Sequence, residues 1–79
     1  MSREEILSQV LKMIAMSYKV EEKTLSESTS FKDDLGGASV QMVALVSEIE
    51  NELDVALMLA DVSACETVAD LINLIEDEM

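Results

Sequence analysis

Ser39 is the residue of this chain best placed for covalent chemistry. It follows Gly36-Gly37-Ala38 and heads a run in which Val43, Leu45, Val46, Ile49 and Leu53 recur every three to four residues. That spacing predicts an amphipathic helix starting at Ser39. A hydroxyl there meets unpaired backbone N–H groups and the positive end of the helix dipole, which favour a negative group such as a phosphate. A phosphodiester on the Ser39 oxygen would therefore be stabilised, although the same serine also reads as an ordinary helix N-cap. The rest of the chain offers little else to catalysis. It has no histidine and one cysteine, so the usual zinc sites and nucleophile–base pairs cannot be assembled. Cys65 has no partner for an internal disulfide and reads as a small buried apolar residue. Asp33-Asp34 and Glu76-Asp77-Glu78 lack the alternating ligand spacing of a calcium loop. The expectation is a protein that is not an enzyme and holds no metal.

The elements that must position Ser39 are helical. Zero prolines, two adjacent glycines and 3% aromatic residues suit a helical domain better than a sheet, and 49% apolar content argues against disorder. Ser2-Arg3-Glu4-Glu5 has capping-box form and precedes Ile6, Val10, Met13 and Ile14, which predicts a first helix from about Arg3 to Ser17. A long polar loop follows from Tyr18 to Ala38, anchored by Val20, Leu25, Phe31 and Leu35, and loops of that length are usually functional or packed by their own side chains. After the Ser39 helix, a short helix is expected from about Leu59 to Ala64, with a strand over Val55 to Leu59 as the alternative. Thr67-Val68-Ala69-Asp70 then opens a last helix with Val68, Leu71, Ile72 and Ile75 on one face. With 79 residues, one domain over 1–79 with a single modest core is expected.

Charge bounds the partners. The net charge of −12 lies wholly in residues 33–79, which carry twelve acids and no Lys or Arg; residues 1–32 balance five bases against five acids. Such a field repels nucleic acid and anionic lipid and steers the chain toward basic protein surfaces. No stretch is long and apolar enough to span a bilayer, and Met1-Ser2-Arg3-Glu4-Glu5 lacks the layout of a secretion signal, so the reading is of a complete, soluble, cytoplasmic protein without membrane insertion.

Along nearly its full length, and without a gap from Phe31 to Thr67, the chain resembles the acyl carrier protein family. The resemblance rests on Phe31-Lys32-Asp33-Asp34-Leu35-Gly36-Gly37-Ala38-Ser39-Val40, then Val43, Leu45, Val46, Ile49, Glu50 and Asp54, and Thr67-Val68 at the start of the last helix. It implies an all-α four-helix bundle with a long first loop and a short third helix. It also implies that Ser39 receives 4'-phosphopantetheine from coenzyme A through a phosphopantetheinyl transferase, for use by acyl-loading and acyl-processing enzymes with basic docking surfaces. The chain itself would be a monomer serving fatty-acid, polyketide or specialised lipid biosynthesis. The implied partner-binding residues are Asp33, Asp34, Val40, Glu48, Glu50 and Glu52, and Val43, Val46, Met58, Val62 and Ile72 would line an acyl pocket. The family usually has Asp-Ser-Leu at the attachment point, where this chain has Ala38-Ser39-Val40, and no charged residue occurs from Gly36 through Ser47. Those departures suggest a specialised carrier, with an unmodified acidic interaction module as the competing reading.

Overall fold

The computed structural model describes residues 1–36 and 39–79, with the backbone only at Ser39. Helix α1 spans Arg3–Tyr18, one residue past the expected end. The Ser2 side chain accepts from the Glu5 amide at 3.2 Å and the Glu5 carboxylate accepts from the Ser2 amide at 3.1 Å, completing the capping box. The helix stops where Lys19 turns left-handed at φ 56° and donates its amide to the Ala15 carbonyl. Ile6, Val10, Met13 and Ile14 form the buried stripe expected from their spacing.

The long first loop is folded on itself. A 3-10 turn occupies Glu22–Thr24, Leu25 and Phe31 are buried, and buried Thr29 accepts from the Ser26 amide at 2.9 Å. Phe31 also meets the Tyr18 ring at a centroid distance of 6.5 Å. The loop is then fastened to the chain far downstream. Phe31 donates its amide to the Glu66 carbonyl at 3.0 Å, Val68 donates to Thr29 at 3.0 Å and Ala69 donates to Glu27 at 2.9 Å. An isolated antiparallel bridge between Ser30 and Thr67 lies within this strap.

Helix α2 spans Ser39–Leu53, α3 Leu59–Ser63 and α4 Val68–Glu78. The alternative of a strand over residues 55–59 does not form: residues 54–58 are irregular and Leu59 begins α3. Asp54, left-handed at φ 53°, turns the chain out of α2, and the backbone past it bonds a side chain of α2, described below, so no strand partner is needed. Thr67 and Asp70 cap α4 reciprocally. Val68, Leu71, Ile72 and Ile75 are fully buried in the common core, with α4 packed on α1 and α3, each contributing on the order of 1.5–3 kcal/mol of burial. Arg3 joins three parts of the bundle: its guanidinium pairs with Glu27 of the loop and with Glu76 of α4 and donates to the Asn73 side chain at 2.9 Å.

Candidate functional site

Helix α2 begins at the residue the sequence singles out, Ser39. The turn before it needs glycine at one described position. Gly36 has φ +75°, and a Cβ there would meet nothing within 4 Å, so the requirement is conformational and not steric. The first turn of α2 contains no acid, so an anionic group at the helix start would meet no carboxylate from that turn. Gly37 and Ala38 lie outside the described residues, and with them the reading of the Ala38 departure.

Below Ser39 the helix divides into faces of different chemistry. Met42, Leu45, Val46, Ile49 and Leu53 point into the core. Opposite them, Val40, Ala44, Ser47 and Asn51 follow one another at three- and four-residue spacing and are all exposed, Val40 to 78%. This outermost ridge has no charge. Glu48 and Glu52, one turn apart, lie to one side and wall a surface groove with Gln9, Lys12, Met13 and Met16 of α1. Val43 and Glu50 lie on the other side.

Of the acids expected to bind partners, two have structural tasks. The Glu50 carboxylate accepts the Leu57 amide at 3.1 Å, closing the turn between α2 and α3. The Asp34 carboxylate accepts the Ser30 amide at 2.7 Å while Ser30 Oγ accepts the Asp33 amide at 3.0 Å. Asp33, Glu48 and Glu52 are exposed.

The residues expected to line an acyl pocket are divided as well. Val46, Val62 and Ile72 are buried in the core. Val43, at 48% exposure, and Met58, at 69%, are surface residues in this conformation, which corrects their placement in an interior lining. Val43 sits beside the buried stripe of α2 and not within it. Met58 is the extended residue that precedes α3, and the core position next to it is taken by Leu57.

Cys65 is half-buried, and its Sγ donates to the Asp61 carbonyl at 3.5 Å. Burial, reinforced by the Asp70 and Asp61 carboxylates, pushes its thiol up to about 11. Among the described residues no group of three or more His, Cys, Asp or Glu side chains converges on a metal-sized site, and no helix is long and apolar enough to cross a membrane.

Comparison with known proteins places this arrangement in a family. The family model described as "Phosphopantetheine attachment site" matches residues 6–75. The chain is also 37% identical to a protein of Thermotoga maritima named "Acyl carrier protein", over 78 residues that cover 99% of this chain and 96% of that relative. The chain belongs to the acyl carrier protein family. Its prosthetic group is accordingly a covalently attached 4'-phosphopantetheine. The start of α2 fits that group chemically, since an acid-free first turn follows a glycine turn and begins with a hydroxyl residue. The helical layout read from periodicity is that of the carrier bundle. The structural tasks of Asp34 and Glu50 were the part of the surface that sequence reasoning missed. For the first, Ser30-x-x-Asp33 is a capping-type pattern that signals a cap at Ser30, but the carboxylate that accepts the Ser30 amide is that of Asp34, one residue on. The second depends on a turn through a left-handed aspartate, for which the sequence gives no equally clear sign.

Proposed function

We propose that Ser39 is the attachment point and that the chain, one carrier domain over residues 1–79, presents acyl groups to cytoplasmic biosynthetic enzymes as a monomer without catalysing their reactions. The observation that supports this most is the position of Ser39 as first residue of an acid-free helix start behind the Gly36 turn. In the loading step the Ser39 hydroxyl oxygen forms a bond to the pantetheine-side phosphorus of coenzyme A. The phosphoanhydride bond breaks, adenosine 3',5'-bisphosphate leaves, and the serine proton passes to a base of the transferase. The chain's part is to hold the hydroxyl at a helix N-terminus, where the resulting phosphodiester anion is favoured. Once attached, the arm supplies a terminal thiol on which an acyl group is held as a thioester. The half-buried Cys65 thiol, raised well above neutral pH, does not compete for the cargo. Fatty-acid, polyketide and specialised lipid synthesis all use this chemistry, and the departures around Ser39 favour dedicated partners in a specialised pathway.

Intact-protein mass spectrometry after incubation with coenzyme A and a broad-specificity phosphopantetheinyl transferase tests the assignment. Wild type should gain one phosphopantetheinyl increment and Ser39→Ala none. A chain that stays unmodified with several transferases, including as Ala38→Asp, would instead be an unmodified acidic interaction module.

A further inference from the structure

The long first loop frames a surface pocket of about 410 Å³, a size that suits a small molecule. Its apolar part is made by Val20, Leu25 and Leu35, and its polar part includes Ser26, Ser28 and Asp34. The loop's own bonds do not exhaust these polar groups. The Ser26 and Ser28 hydroxyls lie 2.9 Å apart and Ser26 Oγ also accepts the Ser28 amide, which leaves the pair one O–H donor and further lone pairs. Asp34 uses Oδ2 for the Ser30 amide, so its other carboxylate oxygen remains as an acceptor. Such a lining suits a neutral ligand that alternates aliphatic groups with hydroxyls and amides. Three other surface hollows are built differently. One is bounded by Asp61, Asp70 and Asp77 and is acidic. Another, between Lys32 and Glu66, has no large aliphatic side chain, and that beside α1 carries the charges of Lys12, Glu48 and Glu52.

The ligand always at hand is the arm itself. Leu35 is four residues before Ser39, so their Cα atoms are at most about 14 Å apart however the intervening chain runs. A pantetheine arm has a backbone of about fourteen bonded atoms, as long as about five extended residues, or ~17 Å. Its make-up alternates a dimethyl carbon and methylenes with one hydroxyl and two amides, and beyond the phosphodiester it is uncharged. We propose that the loop pocket is a resting site for that arm, with Val20, Leu25 and Leu35 taking its aliphatic groups and Ser26, Ser28 and Asp34 its hydroxyl and amides. The inference rests on the carrier reading and adds a site, containing no residue of α2, that the prosthetic group uses between encounters. The affinity required is small. A short tether holds the arm at an effective concentration on the order of millimolar, so a pocket that binds free pantetheine with a Kd of about 1 mM is filled about half the time. A partner enzyme then draws the arm out at low cost.

Nuclear magnetic resonance of the holo chain, labelled with 13C and 15N and carrying an unlabelled arm, reads the contact directly. Nuclear Overhauser contacts are expected between arm protons and the methyls of Val20, Leu25 and Leu35. Free pantetheine added to the apo chain, up to about 20 mM, should shift the same methyls with a Kd of about 0.3–3 mM. Ser28→Tyr, which fills the pocket from its exposed rim, should abolish the arm contacts and weaken pantetheine about tenfold or more, with unchanged α1 and α4 amides showing that the fold is kept. Ser28→Ala should weaken it only about two- to fivefold, the loss of one neutral hydrogen bond. A holo chain whose arm contacts fall elsewhere or nowhere overturns the inference while leaving Ser39 as the attachment point. Contacts that survive Ser28→Tyr undiminished overturn it too. A chain that never gains the arm refutes the carrier reading instead, and the titration of the apo chain then decides the pocket. Moved methyls support it, and methyls unmoved at about 20 mM refute it.

Discussion

Replacing Glu50 by alanine separates a structural carboxylate from a recognition carboxylate. The side chain is half-buried and accepts the amide of Leu57, itself only 9% exposed, across the turn that follows Asp54. Truncation leaves that amide without its acceptor in a partly dry position, which costs about 1–2 kcal/mol, between a neutral and a charge-assisted bond. For 79 residues the unfolding entropy is about 0.17 kcal/mol per kelvin, so the melting temperature should fall by about 6–12 °C. Loss of one negative charge from a chain of −12 works in the opposite direction. Glu48→Ala supplies that correction, since Glu48 is exposed in the same helix and should melt within about 3 °C of wild type or slightly above it. Glu50→Gln, which keeps an acceptor oxygen, should fall between the two. The assay is thermal unfolding by circular dichroism at fixed salt for all four proteins. Glu50→Ala melting within 2 °C of Glu48→Ala would refute the structural role and return Glu50 to the recognition surface.

Three further outcomes are expected. Arg3→Ala should lower the melting temperature by releasing the loop and α4 from the start of α1, and the gap from wild type should narrow as salt is raised, since the Arg3 pairs with Glu27 and Glu76 are solvent-facing. Cys65, with its thiol pushed up to about 11, should react with iodoacetamide at pH 8 on the order of a hundredfold more slowly than an ordinary cysteine of pKa about 8.5, and unfolding in urea should remove the difference. Glu5 is held below its usual carboxylate range by the Ser2 amide and hydroxyl. Its stabilisation is thus present above an unfolded value near 4.5 and lost as pH falls through the lower folded one. Glu5→Gln should show a shallower loss of stability between pH 5 and 3 than wild type, read from urea midpoints.

The helices were legible because their signals are local. Ser2 with Glu5 and Thr67 with Asp70 mark starts by residue type and spacing, and the stripes from Ile6 to Ile14 and from Val68 to Ile75 give the period directly. Periodicity also showed α2 beginning at Ser39, and the residues around it carried the family resemblance. What sequence could not supply were relations across the chain. The strap from residues 27–31 to 66–69 consists of backbone bonds, which no side-chain pattern announces. Glu50 looks like any acid of a polar helix face until the turn at Asp54 brings the Leu57 amide to it. Val43 and Met58 read as pocket residues because they are apolar and near the buried stripe, whereas a position one step round the helix, or one residue before α3, is enough to put them outside. The neutral ridge, by contrast, was present in the spacing of Val40, Ala44, Ser47 and Asn51 and became meaningful only once the orientation of α2 was known.

The strap between the loop and the start of α4 changes what counts as the neighbourhood of the serine. The segment that delivers the chain to α2 is anchored at Phe31, and that anchor is the carbonyl of Glu66, thirty-five positions later. The entry to α4 thus acts as a splint for the loop that leads toward Ser39. A lesion in α4 that spares every residue near the serine, such as loss of the Thr67 cap, would loosen the approach from behind. The start of α4 is therefore part of the support of the loop before α2, although it lies far from the serine in sequence.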